Sequence, residues 1–149
     1  MNNILAKLWR YLKLSKRIQL NIMRLTQDQF LVGTTGIIFN KNQEVLLFKH
    51  TYRQQEWSLP GGYMKKTEHP TEGLEREIEE ESGLIVSIDK EIKIRADRET
   101  ARLDISYIGK YIGGEFKPSS EVSAAQFFSF ENLPILPKSQ LLMISQALA

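Results

Sequence analysis

Six glutamates and one arginine fall within the ten residues Glu72 to Glu81. On a helix, Glu77, Glu80 and Glu81 stand at i, i+3 and i+4 and share one face, where like charges repel by about 0.2–0.5 kcal/mol per pair. Something positive belongs among them. Clustered carboxylate oxygens suit hard cations such as Mg²⁺ or Mn²⁺, and Mg²⁺ takes one or two protein carboxylates, with water and substrate phosphate in its remaining positions. The pattern points to metal-assisted chemistry on phosphates.

The helix that would carry these groups has readable ends. Pro70 suits the first helical position, because its φ is preset and it lacks an N–H that would go unpaired there, and Glu72 and Glu75 suit the early turns through the helix dipole. Gly83 fits a left-handed C-terminal cap. Leu74 and Ile78 form an apolar i, i+4 pair, so one flank can pack while its neighbour faces a site. Gly73 costs roughly 1 kcal/mol relative to alanine inside a helix. One turn before Glu77, it is expected to leave room for metal or phosphate.

The spacing over the whole segment resembles the signature of the Nudix hydrolases. It runs Gly62, five residues, Glu68, seven residues, then Arg76, Glu77, apolar Ile78, Glu80, Glu81, Gly83 and apolar Leu84. Seven identities at set spacings match by chance in a chain of this length less than about once in a million, taking each residue type near ~7% of usage. The preceding Trp57-Ser-Leu-Pro-Gly-Gly is similar to the family's usual approach to the signature, and the likeness extends from about Phe30 to Ala149. Three positions depart from it: Thr67 stands where glycine is frequent, Lys65 where an acid is common, and His69 where a small cap is usual.

What the resemblance implies is hydrolysis of a pyrophosphate linkage in a nucleoside diphosphate joined to another moiety, with Mg²⁺ or Mn²⁺. It implies Glu77 and Glu81 as direct metal ligands, Glu80 as ligand or water-mediated partner, and the Gly61 carbonyl as a further oxygen. Arg76 would orient the carboxylates by ion pairing, and Glu68 would brace the loop against the helix. The general base is open among Glu80 and the loop residues Glu115 and Glu121, with Glu121 carried as a candidate catalytic residue. Arg53 could meet a phosphate and Tyr52 stack on a base, whereas Trp57 reads as core packing. Arg95, Arg98 and Arg102 cluster around an expected turn, either as an anion site or as solvated charge. Two other readings stand beside the enzyme: a charge-laced solvent helix, and a nucleotide-binding sensor that does not hydrolyse its ligand.

With 149 residues and no cysteine, the chain fits one domain without disulfides, zinc-thiolate sites or thiol nucleophiles, which accords with a cytoplasmic location. No apolar run approaches the ~18 residues of a membrane-spanning helix. The net charge of +2 conceals an asymmetry, because Lys7, Arg10, Lys13, Lys16, Arg17 and Arg24 face no acid within residues 1–27. Residues 1–29 therefore read as a basic amphipathic helical extension, with one apolar set at Leu5, Leu8, Trp9 and Leu12 and another at Ile18, Ile22 and Met23. It could touch nucleic acid or a membrane surface, but the preferred reading buries its stripe on the domain or in a homodimer while the lysines and arginines stay solvated.

Residues 30–149 read as the Nudix domain. Phe30–Phe39 and Glu44–Lys49 are expected to form a hairpin, Ile85–Ala96 and Arg102–Ile112 long strands, Gln126–Phe130 a last strand and Ser139–Ala149 a closing helix. This order predicts an α/β (α+β) fold, a mixed sheet sandwiched between helices.

Overall fold

The computed structural model describes residues 14–52 and 56–149, and these fall into two units that part between Phe30 and Leu31. In the first, helix α1 spans Lys16–Thr26 and buries none of its residues. It carries the expected set Ile18, Ile22 and Met23, whereas Leu5, Leu8, Trp9 and Leu12, like Arg53, lie outside the described residues.

The second unit is built on a seven-stranded mixed sheet: β1 Leu31–Phe39, β2 Val45–His50, β3 Trp57–Ser58, β4 Gly61–Tyr63, β5 Leu84–Asp97, β6 Arg102–Gly114 and β7 Val122–Phe128. Helix α2 spans Pro70–Ser82 and α3 spans Lys138–Leu148. Near-continuous apolar runs in β1 and β2 identify strands buried on both faces. Because side chains alternate, Ile38, Leu46 and Phe48 pack with Leu74 and Ile78 of α2, while their neighbours Ile37, Val45 and Leu47 pack with Ile144 of α3. Each fully buried aliphatic side chain contributes about 1.5–3 kcal/mol. Thus α2 and α3 are held on separate cores, and the sheet between them is the common reference for the site.

Three details differ from the sequence expectation. The β1–β2 hairpin pairs only at Phe39 and Val45. Beyond that point the strands take other partners from the Trp57–Tyr63 segment: β3 pairs with β2 through Phe48–Ser58, and β4 pairs with β1 through Gly33–Tyr63 to Thr35–Gly61. These two short strands carry too few residues to show a period. The last strand also begins earlier than Gln126, because β7 pairs with β2 from His50–Val122 to Val45–Phe128 and stops before the 3₁₀ turn Phe130–Asn132. On its other side β1 runs parallel to β6 over nine pairs, from Leu31–Arg102 to Phe39–Lys110, and β6 pairs antiparallel with β5.

Candidate functional site

Helix α2 begins and ends as its sequence predicts. His69 is the N-cap, its ring nitrogen accepting from the Thr71 N–H while the Glu72 carboxylate accepts from the His69 N–H at 2.9 Å. Gly83 closes the helix at φ 71°. Structural duties account for part of the acid-rich run. Glu72 completes the cap, and Glu75 accepts the Ile88 N–H at 2.8 Å, next to a register shift in β5. Glu79 is exposed to solvent, and Glu77, Glu80 and Glu81 are left for the site.

Arg76 organises this face. Its guanidinium donates to Glu68 through two nitrogens at 2.8 and 2.9 Å, to Glu77 at 2.6 Å and to Glu80 at 2.9 Å, and reaches the Tyr63 carbonyl at 3.4 Å. Only a planar, multi-donor cation can span these acceptors at once. Lys65, at the position where an acid was the family expectation, adds a second cation 3.2 Å from Glu80. Lys65 first and Arg76 second hold the Glu80 carboxyl below its ordinary range, so it is ionised at neutral pH.

Two glycines explain how the carboxylates come so close to the backbone. A Cβ on Gly62 would lie 2.6 Å from the Glu77 carboxylate carbon, so the glycine is the cradle that receives Glu77. Gly73 corrects an expectation. The space its missing side chain leaves is filled by Glu68, whose Oε1 would be 2.7 Å from a Cβ there, and is not open to metal or phosphate. The glycine thus serves the Glu68–Arg76 pair. Thr67 adopts φ 79°, so the loop keeps a left-handed bend although it lacks the usual glycine. A β-branched residue there is strained by about 1–2 kcal/mol. Thr67→Gly is accordingly expected to raise Tm by a few degrees, since relief of strain exceeds the added chain entropy; an unchanged or lower Tm would show that Thr67 has compensating contacts.

The Arg76 hydrogen bonds, followed by the Lys65 N–H, pull the Glu68 carboxyl from 4.5 to about 2. A depressed carboxyl stabilises the fold fully above its unfolded value, and that contribution is lost as pH falls from about 4.5 through about 2. Glu68→Gln should therefore lower Tm at pH 7, with the deficit shrinking as pH falls below about 4.5. It should also cost about 10–100-fold in activity by loosening Arg76. A deficit as large at pH 3 as at pH 7 would assign the loss to packing.

The other expected residues are more dispersed. Tyr52 is exposed and stacks edge-on against buried His50, with ring centres 5.6 Å apart. Trp57 packs edge-on against Phe128, as core. Glu121 is exposed in the turn before β7, its carbonyl accepting the Thr51 N–H at 3.0 Å. The Glu115 carbonyl stands at the C-terminal end of α2, where a Cβ on Gly83 would meet it at 2.7 Å. Among the described residues, no three His, Cys, Asp or Glu side chains close into a metal cage. The all-oxygen donor set on α2 nevertheless fits a hard divalent ion, which needs only one or two carboxylates.

A cleft of about 360 Å³ opens on the opposite side of Gly61 and Gly62, walled by Ser139, Gln140 and Met143 of α3. Its floor consists of rows across the sheet: Gly61, Thr35, Ser106 and Lys93 in one, Tyr63, Gly33, Asp104 and Arg95 in the next. Arg102 grips Asp104 through contacts of 2.8 and 3.0 Å, and Arg95 stands 3.5 Å from the same carboxylate. Gly33 makes room for Asp104, whose Oδ1 would be 2.8 Å from a Cβ there. Of the arginines marked in the sequence, Arg95 and Arg102 line the cleft; Lys93 and Asp104 went unmarked, although the alternation Lys-x-Arg on β5 and Arg-x-Asp on β6 was the signal that could have found them.

The chain matches the NUDIX domain over residues 29–144. It is 34% identical over 111 residues to an ADP-ribose pyrophosphatase of Methanocaldococcus jannaschii, covering 70% of this chain and 65% of that protein. It is 26% identical over 98 residues to a MutT-like protein of Streptomyces ambofaciens, covering 66% of this chain and 63% of that one. The chain thus spans less than two thirds of either relative's length. Among solved structures, an ADP-ribose pyrophosphatase of Streptococcus suis superposes with a TM-score of 0.68 at 28% identity, over 80% of this chain and 92% of that one. With the full signature on α2 and the mixed sheet between helices, this chain belongs to the Nudix hydrolase family.

Proposed function

We propose that the chain hydrolyses the pyrophosphate linkage of a nucleoside diphosphate derivative with Mg²⁺ or Mn²⁺, releasing a nucleoside monophosphate and the phosphorylated second moiety. The observation that carries this reading is Arg76, which gathers Glu68, Glu77 and Glu80 beside the Gly61–Gly62 strand. ADP-ribose is the reference compound of the panel, since two similar proteins bear the name ADP-ribose pyrophosphatase.

Glu77, Glu80 and Glu81 would hold the ion, with the Gly61 carbonyl as a further oxygen. A bound divalent ion neutralises phosphate oxygens and lowers the pKa of water. Arg76 keeps Glu77 and Glu80 aimed. Glu68 fixes Arg76 from the loop side. Glu121 is the loop candidate for taking the proton of the attacking water, while Arg53 and Tyr52 are the proposed substrate contacts ahead of β3. If Glu121 has that role, Glu121→Gln depresses turnover far more than metal affinity.

The test is nucleotide release from a panel of nucleoside diphosphate derivatives with Mg²⁺ or Mn²⁺, beside Glu81→Gln. Metal-dependent release abolished by the substitution is the expected result. Metal-dependent binding without release from any compound would turn the reading to a sensor.

A further inference from the structure

The cleft on the α3 side gathers positive charge on strands β5 and β6, away from the acidic face of α2. Its lining holds Lys93, Arg95 and Arg102 against Asp104, a net charge of +2. Asp104 is spent on Arg102, which holds it through two contacts, and Arg95 only touches the same carboxylate at 3.5 Å. Lys93 has no ion pair among the described residues. Apart from the Arg102–Asp104 pair, the other polar side chains of this concave surface, Thr34, Thr35, Tyr63, Ser106, Ser139 and Gln140, are neutral, which leaves Lys93 and Arg95 as its available cations.

Position matters as much as charge. Lys93 and Gly61 terminate one row across four strands, with Ser106 and Thr35 between them. Three strand spacings of about 4.8 Å set their backbones on the order of 14 Å apart. Neighbouring phosphates of one anhydride lie far closer together than these backbones, so a diphosphate seated at Gly61 lies toward the opposite end of the row from Lys93.

We propose that the substrate carries a second anionic group, a phosphate monoester or a carboxylate, on the part remote from the cleaved anhydride, and that Lys93 and Arg95 receive it. The inference rests on the pyrophosphohydrolase reading for the meaning of "cleaved", but the anion site itself is testable without turnover. Charge-assisted hydrogen bonds to a flexible lysine and a half-occupied arginine suit either anion.

Two matched pairs isolate the extra charge: NADH with NADPH for phosphate, and UDP-glucose with UDP-glucuronate for carboxylate. The charged member of at least one pair is expected to bind about ten- to a hundredfold more tightly by calorimetry, and to show the same preference in KM with kcat little changed. Lys93→Gln should remove at least about tenfold of that preference and leave the uncharged member unaffected. Lys93 is exposed, so the variant tests binding and not folding. Equal binding within both pairs, or a preference that survives in both Lys93→Gln and Arg95→Gln, overturns the proposal. A Lys93-dependent binding preference without release from any compound would uphold the anion site and sink the hydrolase reading instead.

Discussion

Glu77→Gln is expected to lower kcat by on the order of 10³-fold, through loss of the charge that a hard cation requires. The same substitution should move Tm by no more than a few degrees. Glutamine keeps the size of the side chain and one oxygen for Arg76, which now stands 2.6 Å from Glu77. Arg76 also retains its two-nitrogen grip on Glu68. Removing one of three like charges on a helix face relieves repulsion and offsets the weakened pair. What glutamine cannot supply is an anionic oxygen. Release of nucleotide at saturating Mg²⁺, measured beside thermal melting, separates the two effects. A variant within tenfold of the parent kcat would remove Glu77 from the proposed ligand set.

The reason this expectation can be narrow is that helix α2 is dictated locally. Pro70, the His69–Glu72 cap and Gly83 each act within one turn, so the sequence reading fixes the helix almost to the residue. Arg76 and Glu80 are likewise one turn apart, and their pairing was legible from spacing. The strands that bury both faces, β1 and β2, announced themselves by apolar content. What stayed hidden depends on contacts distant in the chain. Nothing near Gly73 says that Glu68 fills its space, because that needs the loop to fold back on the helix. Nothing in Lys93 alone says that it shares a cleft with Gly61; three strand registers must be known first. The short strands β3 and β4 follow from the divergence of β1 and β2, a tertiary event with no local period.

The adjacent glycines where the signature begins, Gly61 and Gly62, give the sharpest contrast, since the residue type is the same and the surroundings are not. A Cβ on Gly61 would stand 2.2 Å from the Thr34 carbonyl oxygen and 3.1 Å from the Thr35 Cα, both backbone atoms of the central strand. Neither can yield without breaking the β1–β4 pairing, so Gly61→Ala should destabilise by several kcal/mol, in the range of overpacked cores. The three atoms nearest a Cβ on Gly62 all belong to the Glu77 side chain, at 2.6 Å. That side chain can swing away, and the fold should lose about 1 kcal/mol or less. Its carboxylate, however, would leave the cradle by about an ångström, a displacement that can cost roughly 10²-fold in rate. Gly62→Ala is therefore expected to melt close to the parent while losing about two orders of magnitude in kcat/KM, and Gly61→Ala to melt well below it. Should Gly62→Ala retain full activity, the Gly62 cradle is not what aims Glu77; a low melting temperature for it would mean that Glu77 is clamped too firmly by Arg76 to move, and the strain would then reside in the loop.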